Sequence, residues 1–195
     1  SIKNGMKSDG AKKGLQLCRE YFEQYGIEML KNKFPDYMDR ITAGLVGEGS
    51  DCFGFDDETS KDHDFGPRFC MWVSQETYKE IGEKLQKAYD ELPDTFEGYT
   101  RNMTVTGKFR QGVIVLEDFV EHLLFTRYLP KTDNDWMLLP ENGLSALSNG
   151  EIWLEGDGRF TDIRKKLEKY PDSVRWKKII QSIHLVRQMG LYNYF

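Results

Sequence analysis

Two aspartates that are two residues apart, Asp62 and Asp64, are the side chains in this sequence best suited to chemistry. They begin a stretch, residues 62–73, that ends in an apolar run and that we interpret as a strand. Side chains two positions apart in a strand face the same side, roughly 7 Å apart, so the two carboxylates can converge on one cation. Because Mg²⁺ prefers oxygen ligands, the pair predicts a site for Mg²⁺ or Mn²⁺.

A glycine-rich bend lies between the aspartates and an earlier predicted strand, residues 41–46. It contains Gly49 and Ser50, and eleven residues separate Ser50 from Asp62. Gly49 lets the backbone approach a phosphate closely, backbone N–H groups in such a turn attract anions, and Ser50 adds a hydroxyl donor. A phosphate-binding turn beside a carboxylate pair is typical of phosphoryl and nucleotidyl transfer.

The order and spacing of these residues resemble the signature of the nucleotidyltransferase superfamily, which includes polymerase β and the minimal nucleotidyltransferases. The string GSDCFGFDDETSKDHDFGP is similar to one uncharacterised bacterial branch of that superfamily. Two positions depart from the general pattern. Glu48 precedes the glycine where a hydrophobic residue is usual, and His63 occupies the middle of the carboxylate triplet, which is normally apolar.

The resemblance implies an α+β fold in which helices flank a mixed sheet. We expect this catalytic domain to cover residues 1–158 and a helical segment to follow over residues 159–195, as the start of a longer, truncated helical domain. The apolar stripe of residues 10–34 predicts a long helix, which the superfamily places beneath its sheet.

The activity that the resemblance implies is metal-dependent transfer of a nucleoside monophosphate from a nucleoside triphosphate to an acceptor, with release of pyrophosphate. Asp62 and Asp64 would hold one or two Mg²⁺ or Mn²⁺ ions, and Gly49 and Ser50 would bind the phosphates. The acceptor is a small molecule, a protein or an RNA end, and the sequence does not distinguish between them. Because the superfamily has inactive members, the alternative is a catalytically inactive module that binds a nucleotide or a protein.

A third acidic residue on a neighbouring strand is also implied by the resemblance. A β-branched run at residues 113–116 predicts a strand inside the sheet, and Glu117, which follows it, is the first candidate, with Asp118 second. Each could equally be a favourable charge at the start of a helix over residues 119–127. Two residues of the turn after a predicted strand at 151–154 remain open as alternatives: Glu155 and Asp157.

Basic and imidazole side chains near the motif have two interpretations. Lys61 and Arg68 could pair with phosphate, but surface positions explain them equally well. We assign structural rather than nucleophilic roles to the three scattered histidines, which are His63, His122 and His184.

The C-terminal part is basic and helical. Pro171 separates predicted helices over residues 161–170 and 172–189, and residues 162–188 contain eight basic and three acidic residues. Such a helical pair could hold a polyphosphate or an RNA backbone. A solvated helix surface accounts for the same pattern, and no motif typical of nucleic-acid binding accompanies it.

Composition and charge argue against several other classes of protein. The chain has 195 residues and a net charge of −5, which gives no general attraction to DNA or to an anionic membrane. No apolar run approaches the roughly 20 residues that a membrane span needs. The three cysteines lack both a zinc-type spacing and the pattern of a disulfide framework, so we expect a reducing, cytoplasmic environment.

Overall fold

The computed structural model describes residues 9–49, 66–101 and 109–192. Its first part is continuously helical: α1 (Asp9–Tyr21), a π-helical turn (Phe22–Gly26) and α2 (Ile27–Lys33). The helix predicted for residues 10–34 is therefore confirmed. Its apolar stripe is buried and its end precedes Pro35, because the residue before a proline disfavours helical backbone. A 3₁₀ helix, Pro35–Arg40, leads into the sheet.

In the part of the chain that the structure describes, six strands form two sheets. In chain order they are β1 (Thr42–Leu45), β2 (Cys70–Val73), β3 (Thr95–Phe96), β4 (Tyr99–Thr100), β5 (Gly112–Val115) and β6 (Glu151–Leu154). The main sheet is mixed and has the order β5-β2-β1-β6, while β3 and β4 pair with each other alone. β1 runs antiparallel to both of its neighbours, and β2 runs parallel to β5.

Helix α3 (Gln75–Asp90) makes the crossover between the parallel strands β2 and β5. It begins at Ser74, whose hydroxyl accepts a hydrogen bond of 3.0 Å from the N–H of Thr77. At its other end the buried Arg101 donates hydrogen bonds of 2.7 and 2.8 Å to the carbonyls of Tyr89 and Asp90. Both ends of the crossover helix are therefore capped by side chains.

Among the described residues, strand β5 pairs only with β2 and lies at the edge of the sheet, whereas its apolar run predicted an interior strand. Its residues Ile114 and Val115 are nonetheless buried. The β-branched run reflects this burial, which packed helices provide for an edge strand as well as for a central one. The next helix, α4 (Leu116–Leu124), begins earlier than predicted, so its first turn contains Glu117 and Asp118.

Four further helices complete the described chain: α5 (Asp133–Leu138), α6 (Glu141–Ser148), α7 (Arg159–Glu168) and α8 (Asp172–Tyr192). Phe160 of α7 is fully buried, with its ring centroid 4.7 Å from that of Trp72 and 5.9 Å from that of Phe119. The hydrophobic core therefore continues across the boundary predicted between residues 158 and 159.

The predicted fold class, an α+β domain with a mixed sheet flanked by helices, is confirmed. One apolar cluster contains Trp72, Phe119 and Phe160, and a second contains Tyr21 and Phe69. Within the described ranges, no helix combines the length and the apolar character that crossing a lipid bilayer requires.

Candidate functional site

The end of β1 and the start of β2 meet at one end of the main sheet. Because the two strands are antiparallel and Gly44 lies opposite Cys70, residues 47–49 and 66–69 both emerge there. We call this the bend end of the sheet and the opposite end the far end. Gly47 and Gly49 are buried, whereas the side chain of Glu48 is exposed. The glycine-rich bend is therefore held against the protein.

The two aspartates of the motif, Asp62 and Asp64, lie outside the described residues, as do Ser50, Lys61 and His63. The metal site and the role of Ser50 stay predictions. What the structure does describe is the chain on each side of this segment, at Gly49 and at Gly66.

The side-chain amide of Asn149 holds the bend. The N–H of Gly47 donates to Asn149 Oδ1 at 3.0 Å, and Asn149 Nδ2 donates to the carbonyl of Gly47 at 2.6 Å. The register of β1 with β6 pairs Leu45 with Glu151, and continuing it by two residues brings Gly47 opposite Asn149. The amide therefore makes both hydrogen bonds that a backbone neighbour would make if β6 extended further.

The main chain of Asn149 forms other hydrogen bonds, and for this reason its side chain, rather than its backbone, binds Gly47. Its N–H donates to the carbonyl of Ser145 at the end of α6, at 3.0 Å. The next residue, Gly150, has a φ of +63° and turns the chain from the helix into β6. A Cβ at Gly150 would overlap the carbonyl oxygen of Leu45, so only glycine fits this turn.

Arg164 of α7 fixes this turn from the other side. Its Nη1 donates to the carbonyls of Asn149 and Leu147 at 2.6 and 3.1 Å. Its Nη2 lies 3.4 Å from two further carbonyls, those of Ser148 and Gly150. Burial lowers the pKa of the guanidinium, which nevertheless remains charged. It satisfies carbonyls that the end of α6 leaves without helical partners.

Helix α4 borders the bend. The Nε2 atom of His122 lies 3.7 Å from the Oε2 atom of Glu48, and the ring of Phe119 faces Gly47. The imidazole also makes an edge contact with Phe109, with 5.2 Å between the ring centroids. His122 thus contacts the bend through Glu48, whereas His184 lies on the exposed surface of α8.

Arg68 lies at the bend end and is only 3% exposed. Its Nη1 donates to the carbonyl of Arg110, which also accepts from the thiol of Cys70 at 3.4 Å. The structure thus excludes the surface position that the sequence allowed for Arg68. A contact with phosphate remains a prediction.

Glu117 lies at the far end of the sheet. In the parallel pairing, Gly112 lies opposite Cys70 and Val115 opposite Val73, so β5 begins at the bend end and finishes at the far end. At about 3.3 Å per residue, its four residues separate the two ends by on the order of 10 Å. The structure therefore does not bring Glu117 and Gly49 together.

The carboxylates at the far end form ion pairs. Glu117 Oε1 accepts from Arg159 Nη1 at 2.7 Å, and Asp157 Oδ2 accepts from Arg159 Nε at 2.9 Å. Desolvation lowers the pKa of Arg159, but the two carboxylates outweigh it and the net shift is upward. Glu117 Oε2 is buried and has no hydrogen-bond partner in the described part of the chain.

The other two candidates for the third carboxylate lie at the same end. Asp118 pairs with Arg127 at 2.7 Å, and the carbonyl of Glu155 accepts from the hydroxyl of Thr42, the first residue of β1, at 2.9 Å. All four candidates thus lie at the far end of the sheet, with Asp118 one helical turn before His122, which contacts the bend through Glu48. Across residues 9–49, 66–101 and 109–192, no group of three or more His, Cys, Asp or Glu side chains is placed to hold a metal ion.

Sequence reasoning missed Asn149 and Arg164, although one signal was present. Asn-Gly after a helix and before a strand is typical of a helix C-terminus that turns through left-handed backbone. That signal marks the turn, but not that the amide would reach across to Gly47. Arg164 counted only as one of the basic residues of a helix surface.

Comparison with known proteins adds one match. A family model described as a domain of unknown function (DUF4037) matches residues 136–195. These residues include Asn149 and Arg164, but neither the bend nor Glu117. No curated protein and no solved structure gives a significant match to the chain.

Proposed function

We propose that this protein is a metal-dependent nucleotidyltransferase that transfers a nucleoside monophosphate from a nucleoside triphosphate to an acceptor. The observation that carries the proposal is the junction of β1 and β2 at the bend end of the sheet. The buried bend after β1 and the entry into β2 flank the segment that contains the aspartates, which is the order of parts that the resemblance implies.

Chain length supports the proximity of the aspartates to the bend end. A chain spans at most about 3.6 Å per residue, so the Cα atom of Asp64 lies within about 7 Å of that of Gly66. The same limit for Asp62 is about 15 Å. Both aspartates therefore lie within these distances of Gly66, which precedes the first residue of β2 by four positions.

In the proposed reaction the triphosphate lies along the bend, where Gly49 leaves room for close approach of the backbone. Asp62 and Asp64 would hold a Mg²⁺ or Mn²⁺ ion, which would supply positive charge to neutralise the phosphates. An acceptor oxygen bonds to the α-phosphorus, the bond from that phosphorus to the bridging oxygen breaks, pyrophosphate leaves, and the acceptor's proton passes to solvent water. Since all four candidates for the third carboxylate lie at the far end, we assign no residue to the acceptor's proton.

Titration with triphosphates tests the proposal. ATP, GTP, CTP and UTP are added with Mg²⁺ or Mn²⁺ to the wild type and to the double variant Asp62→Ala/Asp64→Ala, and binding is followed by calorimetry. We expect at least one triphosphate to bind the wild type, and the double variant to lose at least about tenfold in affinity because the metal bridge is gone.

The control removes two carboxylates elsewhere. Asp36 and Asp39 are exposed on the 3₁₀ helix before β1, at the far end of the sheet. The variant Asp36→Ala/Asp39→Ala has the same change in net charge and should bind like the wild type. Equal binding by the wild type and by the Asp62/Asp64 variant would falsify the site assignment.

An inactive nucleotide- or protein-binding module is the second candidate. The observation that favours it is the position of Glu117, which is paired with Arg159 away from the bend. A nucleotide-binding module of this kind predicts triphosphate binding that persists in EDTA and in the Asp62/Asp64 variant, whereas a protein-binding module predicts no triphosphate binding. The same titration therefore separates the two functions.

The proposal includes a cytoplasmic location and an acceptor that is a small molecule, a protein or an RNA end. Support for a reducing compartment comes from the sequence, whose three cysteines lack both a zinc-type spacing and the pattern of a disulfide framework. The acceptor is identified by incubating the protein with a triphosphate labelled at its α-phosphorus and candidate acceptors of the three kinds.

A further inference from the structure

We infer that Asn149 is a positioning residue that fixes the phosphate-binding bend and thereby sets the affinity for the triphosphate. The inference rests on the proposed function, because it concerns the same bend. It assigns a role to a residue about 100 positions away from the motif in the chain, since hydrogen bonds join Asn149 and Gly47 across a sequence separation of 102.

The contact requires an amide of this length. One side chain must accept from the N–H of Gly47 and donate to its carbonyl, at 3.0 and 2.6 Å. Asparagine has one acceptor and one donor group at its tip, whereas an aspartate offers only acceptors and a leucine of similar shape offers neither. Glutamine carries the same amide on a side chain that is longer by one methylene. The geometry therefore selects asparagine.

Asn149 is itself held on several sides. Its N–H bonds to Ser145 in α6, and its carbonyl accepts from Arg164 in α7. Helix α7 is anchored by Phe160, which is fully buried between Trp72 and Phe119. Contacts thus connect the hydrophobic core, the guanidinium, the amide and the bend in one continuous series.

The position of the contact between Asn149 and Gly47 determines what the contact controls. Gly47 has a φ of +141°, a conformation that other residues rarely adopt, so the chain changes direction there. The amide binds both main-chain polar groups of Gly47 and makes no bond to the N–H groups of Glu48 and Gly49. The conformation of the turn therefore sets the direction of those N–H groups. A bend fixed in advance does not lose backbone freedom when a triphosphate binds.

The experiment measures binding of ATP and of inorganic tripolyphosphate, each with Mg²⁺, to the wild type and to two variants. Asn149→Ala removes both hydrogen bonds, and Asn149→Asp keeps the shape and one acceptor but removes the donor. Asn142→Ala is the control, because Asn142 is an exposed asparagine of α6. All titrations are made at a temperature well below the midpoint of each variant's thermal unfolding. Nearly all of the protein is then folded, and a loss of stability alone does not change the dissociation constant.

We expect both Asn149 variants to bind ATP and tripolyphosphate about tenfold or more weakly, since ordering even one free residue costs about that factor. Hydrogen exchange at the N–H of Gly47 should become faster in Asn149→Ala and stay unchanged in Asn142→Ala. If Asn149→Ala does not fold, Asn149→Leu decides instead, because it removes both hydrogen bonds, is similar in shape and adds no charge beside the triphosphate.

The two proposals fail differently. Triphosphate binding that depends on Asp62 and Asp64 but is the same in folded Asn149 variants overturns this inference and leaves the proposed function in place. A wild type that binds neither ATP nor tripolyphosphate, with Mg²⁺ or Mn²⁺, overturns both.

Discussion

The two ends of the main sheet satisfy their polar groups in different ways. At the bend end, an amide and a partly buried guanidinium bind main-chain groups: Asn149 binds Gly47, and Arg164 binds the carbonyls that follow α6. At the far end, Arg159 binds the carboxylates of Glu117 and Asp157, and all three side chains are at least one-third exposed.

This difference indicates which end is built to hold a fixed geometry. Hydrogen bonds to the main chain fix the path of the backbone, and leaving buried carbonyls unsatisfied is costly. Exposed ion pairs contribute little to stability and are screened by salt. Among the described residues, the four acidic candidates therefore lie at the end that is less firmly held, while hydrogen bonds to the main chain fix the backbone at the bend end.

The largest effect should come from the turn that presents Asn149. We expect Gly150→Ala to lower the free energy of unfolding by about 3 kcal/mol or more, because the new Cβ would overlap the carbonyl oxygen of Leu45 in β1 and the φ of +63° is unfavourable for alanine. Urea denaturation measures the change.

Its matched control is a glycine of the far end. Gly158 also has a positive φ, +78°, but a Cβ there would contact nothing within 4 Å. Gly158→Ala should therefore cost only the backbone term, about 1–2 kcal/mol. Equal losses in the two variants would mean that the bend end is no more tightly packed than the far end.

The next largest effect should come from Arg164. We expect Arg164→Leu to lower the free energy of unfolding by about 2 kcal/mol or more, since it leaves the carbonyls after α6 without their donor. The loss should persist at 1 M NaCl, because carbonyl groups carry no net charge. Denaturation in low and high salt provides the measurement.

Arg159→Leu is the corresponding change at the far end and should have a smaller effect. We expect a loss of about 1 kcal/mol or less in low salt, and no measurable loss at 1 M NaCl, where ion pairs between exposed side chains are screened. A loss in high salt as large as that of Arg164→Leu would remove the distinction between the two ends.

The smallest effect is expected for Glu117→Gln. Because Glu117 lies at the far end and pairs with Arg159, its neutralisation should change the affinity for ATP with Mg²⁺ by less than about twofold and stability by less than about 1 kcal/mol. Calorimetric titration of the variant beside the wild type measures the first. A tenfold loss of affinity would instead support the role of third carboxylate that the sequence suggested.

Local structure was predictable because its causes are local. The stripe of residues 10–34 predicted a helix, and Pro171 predicted the break between the last two helices. The apolar runs around β1 and β6 were recognised as strands, but the strand predicted over residues 62–73 is confirmed only from Cys70, because residues 66–69 are not in a strand. In each case the pattern of a few neighbouring residues determines the backbone conformation.

The sequence by itself determined the helices, most of the strands, the α+β class and the candidate motif, since periodicity and short-range chemistry encode them. Only the tertiary structure decided that β5 runs parallel to β2 and carries Glu117 away from the bend, and that Asn149 lies opposite Gly47. Strand direction and register depend on contacts between residues far apart in the chain, and no local pattern specifies which distant residue will lie opposite another.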